Sequence, residues 1–221
     1  MKTALIFWGD PHSALALQNA IEGNIEIKYM ISVFSKIPDS LASYYPNIKL
    51  LRLISEATDI PLVYKTLENG GNVLPLIEDS LKGIKREIDA VVIGEHDVSM
   101  HRKYESLFRT LGLRTVNPLL GIESLSCWES MLQSGFKIFV TAADSKFSDW
   151  VGRSINKDNL NDFLNAFDAS QKTFPPELET VVLDCPAYKR KIEILEGREA
   201  YEGNRAVYIT KNAILLEKNK I

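Results

Sequence analysis

The first half of this chain alternates short continuous apolar runs with segments of helical spacing. Thr3 to Trp8 is the first run, as expected of a strand buried on both faces. A turn of Gly9-Asp10-Pro11-His12-Ser13 follows, and Ala14-Leu15-Ala16-Leu17 opens a helix. Ile25 to Phe34 reads as a second strand. Ile48, Leu51, Leu53, Ile54 and Ala57 fall at helical spacing, and Ile60 to Val63 returns to extended chain. Gly70-Gly71 marks a loop before Val73 to Glu87, whose Leu74, Ile77, Leu81 and Ile84 share one helical face. Ile88 to Gly94 is the clearest buried strand, and Met100 to Leu111 is a helix stopped by Gly112. Strands and helices alternating over short loops predict right-handed βαβ units and a Rossmann-like parallel sheet.

From about Leu120 the rhythm changes. A helix over Ser124 to Gln133 precedes a strand, Phe136 to Ala142, and a polar helix, Asn156 to Ala169. Strand-like runs then dominate, at Thr180–Leu183, Tyr188–Leu195 and Ala206–Leu216. The expected architecture is α/β: a nucleotide-binding-type domain over residues 1–120 and a smaller α+β domain over 121–221, with the site in their cleft. Edge strands in the smaller domain raise the expectation of a homodimer.

Composition narrows the function. The chain has 221 residues, 45% hydrophobic and 25% charged, with a formal charge of −3. Such a balance speaks against a nucleic-acid protein, which normally advertises a basic face, though small patches fit within a balanced total. Gly9, Asp10 and Pro11 cut the first apolar run short of a signal-peptide core, and no stretch reaches the about 18 apolar residues of a membrane span. Two cysteines, Cys127 and Cys185, lack metal-site spacing and read as reduced thiols. A cytoplasmic chain, off the membrane, is the expectation.

The turn after the first strand lies where a parallel sheet places phosphate, on the free amides of a helix N-terminus. Gly9 and Ser13 suit that role, but Asp10 repels phosphate and Pro11 has no amide hydrogen. By itself this loop reads as a plain turn, with Pro11 in the first helical turn and Asp10 or Ser13 capping. His96 and Asp97, with His101 and Arg102 close behind, suit a general base or metal ligand, but such a pair in a loop is more often a solvated turn and helix cap. No residue set is assigned to a metal. Arg153, after Trp150-Val151-Gly152, is a fixed cation able to clamp a carboxylate or phosphate, or a surface arginine beside a core tryptophan. Glu177 and Glu179 alternate along a strand, so both face one side, where they could position a cation; a charged, exposed strand end is the commoner account.

In order along the chain, these segments resemble the diphthine–ammonia ligases and their archaeal relatives, among the PP-loop (N-type) ATP pyrophosphatases. The blocks that carry the likeness are Tyr45-Pro46-Asn47-Ile48 through Glu56-Ala57 to Ile60-Pro61-Leu62, then Gly94, then Glu105 with Leu111-Gly112-Leu113 and Pro118-Leu119. Gly135-Phe136, Trp150 to Arg153, and Glu177-Leu178-Glu179-Thr180 with Leu183-Asp184 and Pro186 complete them. The resemblance implies an adenine nucleotide alpha hydrolase-like fold. It also implies magnesium and ATP as cofactors and adenylation of a carboxylate followed by amide formation. The acceptor would belong to translation elongation factor 2, in diphthamide biosynthesis. Gly9, His12 and Ser13 would lie at phosphate, Gly94 at adenine, and Arg153, Glu177 and Glu179 on substrate or magnesium.

The sequence departs from that family at the loop, where Trp8-Gly9-Asp10-Pro11-His12-Ser13 replaces Ser-Gly-Gly-Lys-Asp-Ser. Lysine, aspartate and the second glycine of the family loop are lost, and a protonated His12 would restore only part of the lost charge. Pro175 and Pro176 replace glycines before the glutamate segment, and Tyr44 or Tyr45 stands where the family has a histidine. Three readings remain open: an ATP-dependent amide ligase, a non-catalytic paralogue that binds a nucleotide or a protein partner, and a relative acting on a different small carboxylate or nucleotide.

Overall fold

The computed structural model describes residues 1–36, 48–68, 71–122, 124–166 and 178–218. Strand β1 (Lys2–Ile6) is buried after its first residue. Helix α1 (Pro11–Glu22) starts with Asp10 as N-cap and Pro11 in its first turn, and turns Ser13, Ala14, Ala16, Leu17 and Ala20 inward. Those small side chains let the helix lie close to its neighbours. Then come β2 (Glu26–Lys36), α2 (Ile48–Thr58), β3 (Leu62–Glu68), α3 (Leu74–Ile84), β4 (Ala90–Val92), α4 (Val98–Thr110) and β5 (Arg114–Val116). These strands form a five-stranded sheet in the order β3-β2-β1-β4-β5, parallel throughout. The order reverses between β1 and β4, so a Rossmann-like crevice is expected at their C-terminal ends.

The second half contains α5 (Ser124–Gln133), β6 (Lys137–Asp144), a 3-10 stretch (Ser145–Trp150), β7 (Ser154–Ile155), α6 (Leu160–Ala166), β8 (Leu178–Asp184), β9 (Arg190–Glu202) and β10 (Arg205–Glu217). Its sheet is antiparallel, ordered β7-β6-β10-β9, with β8 also paired to β6. The chain is therefore α/β, a parallel sheet followed by an antiparallel one. No helix among the described residues is long and apolar enough to cross a membrane.

Several boundaries differ from the sequence reading. The helix expected over 73–87 tightens to a 3-10 turn at Lys85–Glu87. Strand β4 is shorter than Ile88–Gly94, although the extended chain continues: Asp89 N–H donates to the Lys2 carbonyl and Ile93 N–H to that of Val116. Helix α6 starts at Leu160 rather than Asn156 because asparagine side chains hold the preceding turn. Asn156 N–H donates to Asn159 Oδ1 (2.9 Å) and Asp158 N–H to Asn156 Oδ1 (2.8 Å). The remainder of that expected helix, 167–169, lies outside the described residues.

Alternation along β1 sends its residues to two packing layers. Ala4 and Ile6 pack with Ile77 and Leu81 of α3 and Tyr104 and Phe108 of α4. Leu5 and Phe7 join a larger core that runs through Leu17 of α1, Ile54 of α2 and Trp128 of α5 into Val140, Val182 and Ile192 of the second sheet. This core crosses residue 120 without a break. Backbone bonds stitch the same seam: Val182 N–H donates to the Gly9 carbonyl (2.9 Å) and Lys189 N–H to that of Ala57 (2.8 Å).

Close approach also fixes Gly94, just past β4. A Cβ there would lie 2.5 Å from the His12 carbonyl oxygen and 2.9 Å from its carbon, in the first turn of α1. Gly94→Ala is expected to lower stability by ~1–3 kcal/mol through overpacking. Gly83→Ala, inside α3 with nothing near its Cβ position, is expected to raise it by about 0.5–1 kcal/mol. Urea melts of the two variants check both; an undisturbed Gly94→Ala protein would contradict the packing account.

Candidate functional site

The loop after β1 is satisfied from within. Asp10 Oδ1 accepts from Ser13 N–H (3.1 Å), closing the N-terminus of α1. The buried Ser13 hydroxyl donates to Asp10 and accepts from Trp8 N–H at 3.3 Å. A helix N-terminus carries partial positive charge, and here the chain's own carboxylate meets it. Gly9, at φ +82°, presents its Cα to Leu51 and Val181 while its carbonyl is taken by Val182. Gly9 and Ser13, expected at phosphate, are thus engaged in packing and capping. Gly94, expected at adenine, lies against the backbone of His12.

The chain has three histidines, and all stand at this edge of the parallel sheet. The His12 and His96 rings meet edge to face, with centroids 4.3 Å apart, and His12 Nδ1 lies 3.8 Å from Asp10 Oδ2. Burial lowers the pKa of His12; Asp10 opposes this, and His96 adds to it. Desolvation thus favours the neutral imidazole at pH 7, the form that brings no positive charge to the loop. His96 Nδ1 is 2.7 Å from the Ile122 carbonyl, so that nitrogen carries the proton. Its Nε2 is buried without a hydrogen-bond partner among the described residues.

Asn117, which the sequence reading passed over, anchors the neighbouring loop. Its Nδ2 donates to the Glu95 carbonyl (2.8 Å) and lies 3.1 Å from His101 Nδ1, while its Oδ1 accepts from Leu119 N–H (3.2 Å). Asp97 is the N-cap of α4, accepting from Met100 N–H (2.8 Å) and the Ser99 hydroxyl (2.6 Å); those bonds hold its pKa below the ordinary value. Its role is that of a cap. Burial pushes the Tyr104 phenol up to about 12, with Glu95 and Asp10 adding to the effect. The fully buried Tyr188 is raised well above its usual value, again with Asp10 contributing. Among the described residues, no group of three or more His, Cys, Asp or Glu could hold a metal ion.

Glu179 and Arg153 belong to the second sheet. Glu179 is ion-paired with Arg205 across from β8 to β10, and Arg205 also lies 3.6 Å from Asp144. Burial raises the pKa of Glu179 against the pull of Arg205, and its Oε2 has no hydrogen-bond partner among the described residues. Arg205 sits 26 residues further on and was not a sequence candidate. Arg153 is exposed; its backbone N–H bonds the Trp150 carbonyl and its carbonyl accepts from Val140 N–H, which fixes the turn into β7. Glu177 lies outside the described residues, as do Tyr44, Tyr45, Pro175 and Pro176. Both cysteines are free and buried, and burial raises both thiols, Cys185 to about 12.

Residues 1–115 match the family model described as the diphthamide synthase N-terminal domain, and residues 123–216 match the diphthamide synthase C-terminal domain. Among solved structures, a protein from the universal stress protein family from Burkholderia pseudomallei is similar at 14% identity. The likeness covers 52% of this chain and 93% of that one, with a TM-score of 0.34. No curated protein matches the chain.

The lowered pKa of His12 links this edge to stability. The unfolded chain takes up the proton near the ordinary value of 6.5, and the folded chain only below it. Stability associated with neutral His12 is therefore complete above 6.5 and lost as pH falls through the folded pKa. Glu179, with a raised pKa, acts with the opposite sign, so the informative comparison is with His12→Gln. Denaturant melts at about pH 7.5 and about pH 5 are expected to show a smaller stability loss in His12→Gln than in the wild type. Equal losses would show that His12 is not desolvated.

Proposed function

The chain belongs to the diphthamide synthase family, and from that premise we propose that it is a non-catalytic member, one that binds a ligand or partner without pyrophosphate chemistry at the loop after β1. One observation carries this reading: the Asp10 carboxylate occupies the N-terminus of α1. A triphosphate placed there meets like charge at close range. At 4 Å and an effective dielectric of about 20, each such pair costs about 4 kcal/mol. The loop has no lysine to offset this, His12 is neutral, and the Ser13 hydroxyl is spent on Asp10. The residues present do not fit magnesium-bound ATP at this loop.

A second reading, ATP-dependent amidation of a carboxylate on translation elongation factor 2, draws support from family matches that run through both halves of the chain. Titration calorimetry separates the two. The wild type is expected to give no heat with magnesium-ATP into the millimolar range and no pyrophosphate with candidate carboxylates. Asp10→Gly removes the acceptor of the buried Ser13 amide, at a cost of about 1–3 kcal/mol, and opens the helix N-terminus. It is expected to gain measurable phosphate affinity. Micromolar binding by the wild type with pyrophosphate release would overturn the proposal in favour of the ligase.

A further inference from the structure

A cavity of about 380 Å³ opens in the second half of the chain, between the end of α5, the start of β6, the turn before α6 and the start of β9. Leu132, Phe136 and Ile192, all nearly inaccessible, form its apolar floor. Lys137, Lys157 and Lys191 stand around its rim. None of the three has a carboxylate in ion-pairing range among the described residues, whereas Lys28, Lys65, Lys82, Lys189, Lys211 and Lys218 each hold one at 2.6–2.9 Å. One rim carboxylate, Asp184, is neutralised by Lys218 at 2.6 Å. Asp158 and Glu193 remain, so ammonium groups outnumber the free carboxylates.

The cavity lies apart from the loop after β1 and from the Glu179–Arg205 pair. Lys137 stands opposite Asp184 in the register at one end of the β6–β8 ladder, while Glu179 stands opposite Ala142 near the other. Its size falls within the range of small-molecule sites, with an apolar base and few polar groups to orient a ligand. Cationic side chains over such a base recognise anionic oxygens while the base takes up hydrocarbon. We infer that this cavity binds a small organic anion, a carboxylate or a phosphate monoester carried on an apolar body.

The test is calorimetric titration of the full chain at low ionic strength with phenylacetate, phenyl phosphate and benzylamine. Saturable binding of one or both anions, weakened by salt, is expected, and the preferred anion identifies the oxygen group. Lys137→Glu combined with Lys191→Glu is expected to weaken it at least ~tenfold. Lys146→Glu, beside Phe147 and outside the cavity, is expected to leave it unchanged. Thermal melts confirm that the charge variants fold. Absence of saturable anion binding, preference for benzylamine, or equal affinity in the double variant would each overturn the inference.

Discussion

Helix α1 is held between two sheets, and much of the site follows from that burial. It packs against β1, β2 and β4 on one side and against α5 and β8 on the other. Its inward face is alanine-rich, which permits the close approach, and Gly94 meets its first turn backbone to backbone. A helix end in such a place cannot leave its amide hydrogens to water, so the chain must supply an acceptor. Asp10 does so with Ser13, and the loop that would present amides to a ligand is instead closed on itself.

The same burial sets the electrostatics. His12 loses its proton to desolvation, and the edge is left with the carboxylates of Asp10 and Glu95 beside neutral imidazole. At the second sheet, Arg205 answers the buried Glu179. Such a pair is weak evidence for stability, yet removing the arginine alone strands a carboxylate in a poorly solvated place. Neither arrangement offers a free cation.

Much of the fold was legible because its elements are marked by period. The unbroken apolar run of β1 and the shared face of Leu74, Ile77 and Leu81 identify a buried strand and an amphipathic helix directly. Strand β5 escaped notice because Arg114–Val116 is three residues long and carries no alternation. The charged residues of β9 and β10 disguise how far that hairpin extends: each strand is 13 residues long. At the site, the capping role of Asp10 was readable because cap and helix are adjacent in sequence. The reason for Gly94 was not, because its neighbour His12 lies on another element. The same distance hid Arg205 from Glu179 and brought His12 and His96 together unannounced.

A core that passes from one sheet into the next bears on how the chain comes undone. Leu5 and Phe7 belong to one core with residues that lie beyond position 120, and Val182 is tied to Gly9 through the backbone. Neither half can loosen without wetting apolar surface in the other, so the halves share a single melting event instead of opening as separate cooperative units. A hinge between them, of the kind that lets two-lobed proteins close over a ligand, would have to break the Val182–Gly9 and Lys189–Ala57 backbone bonds.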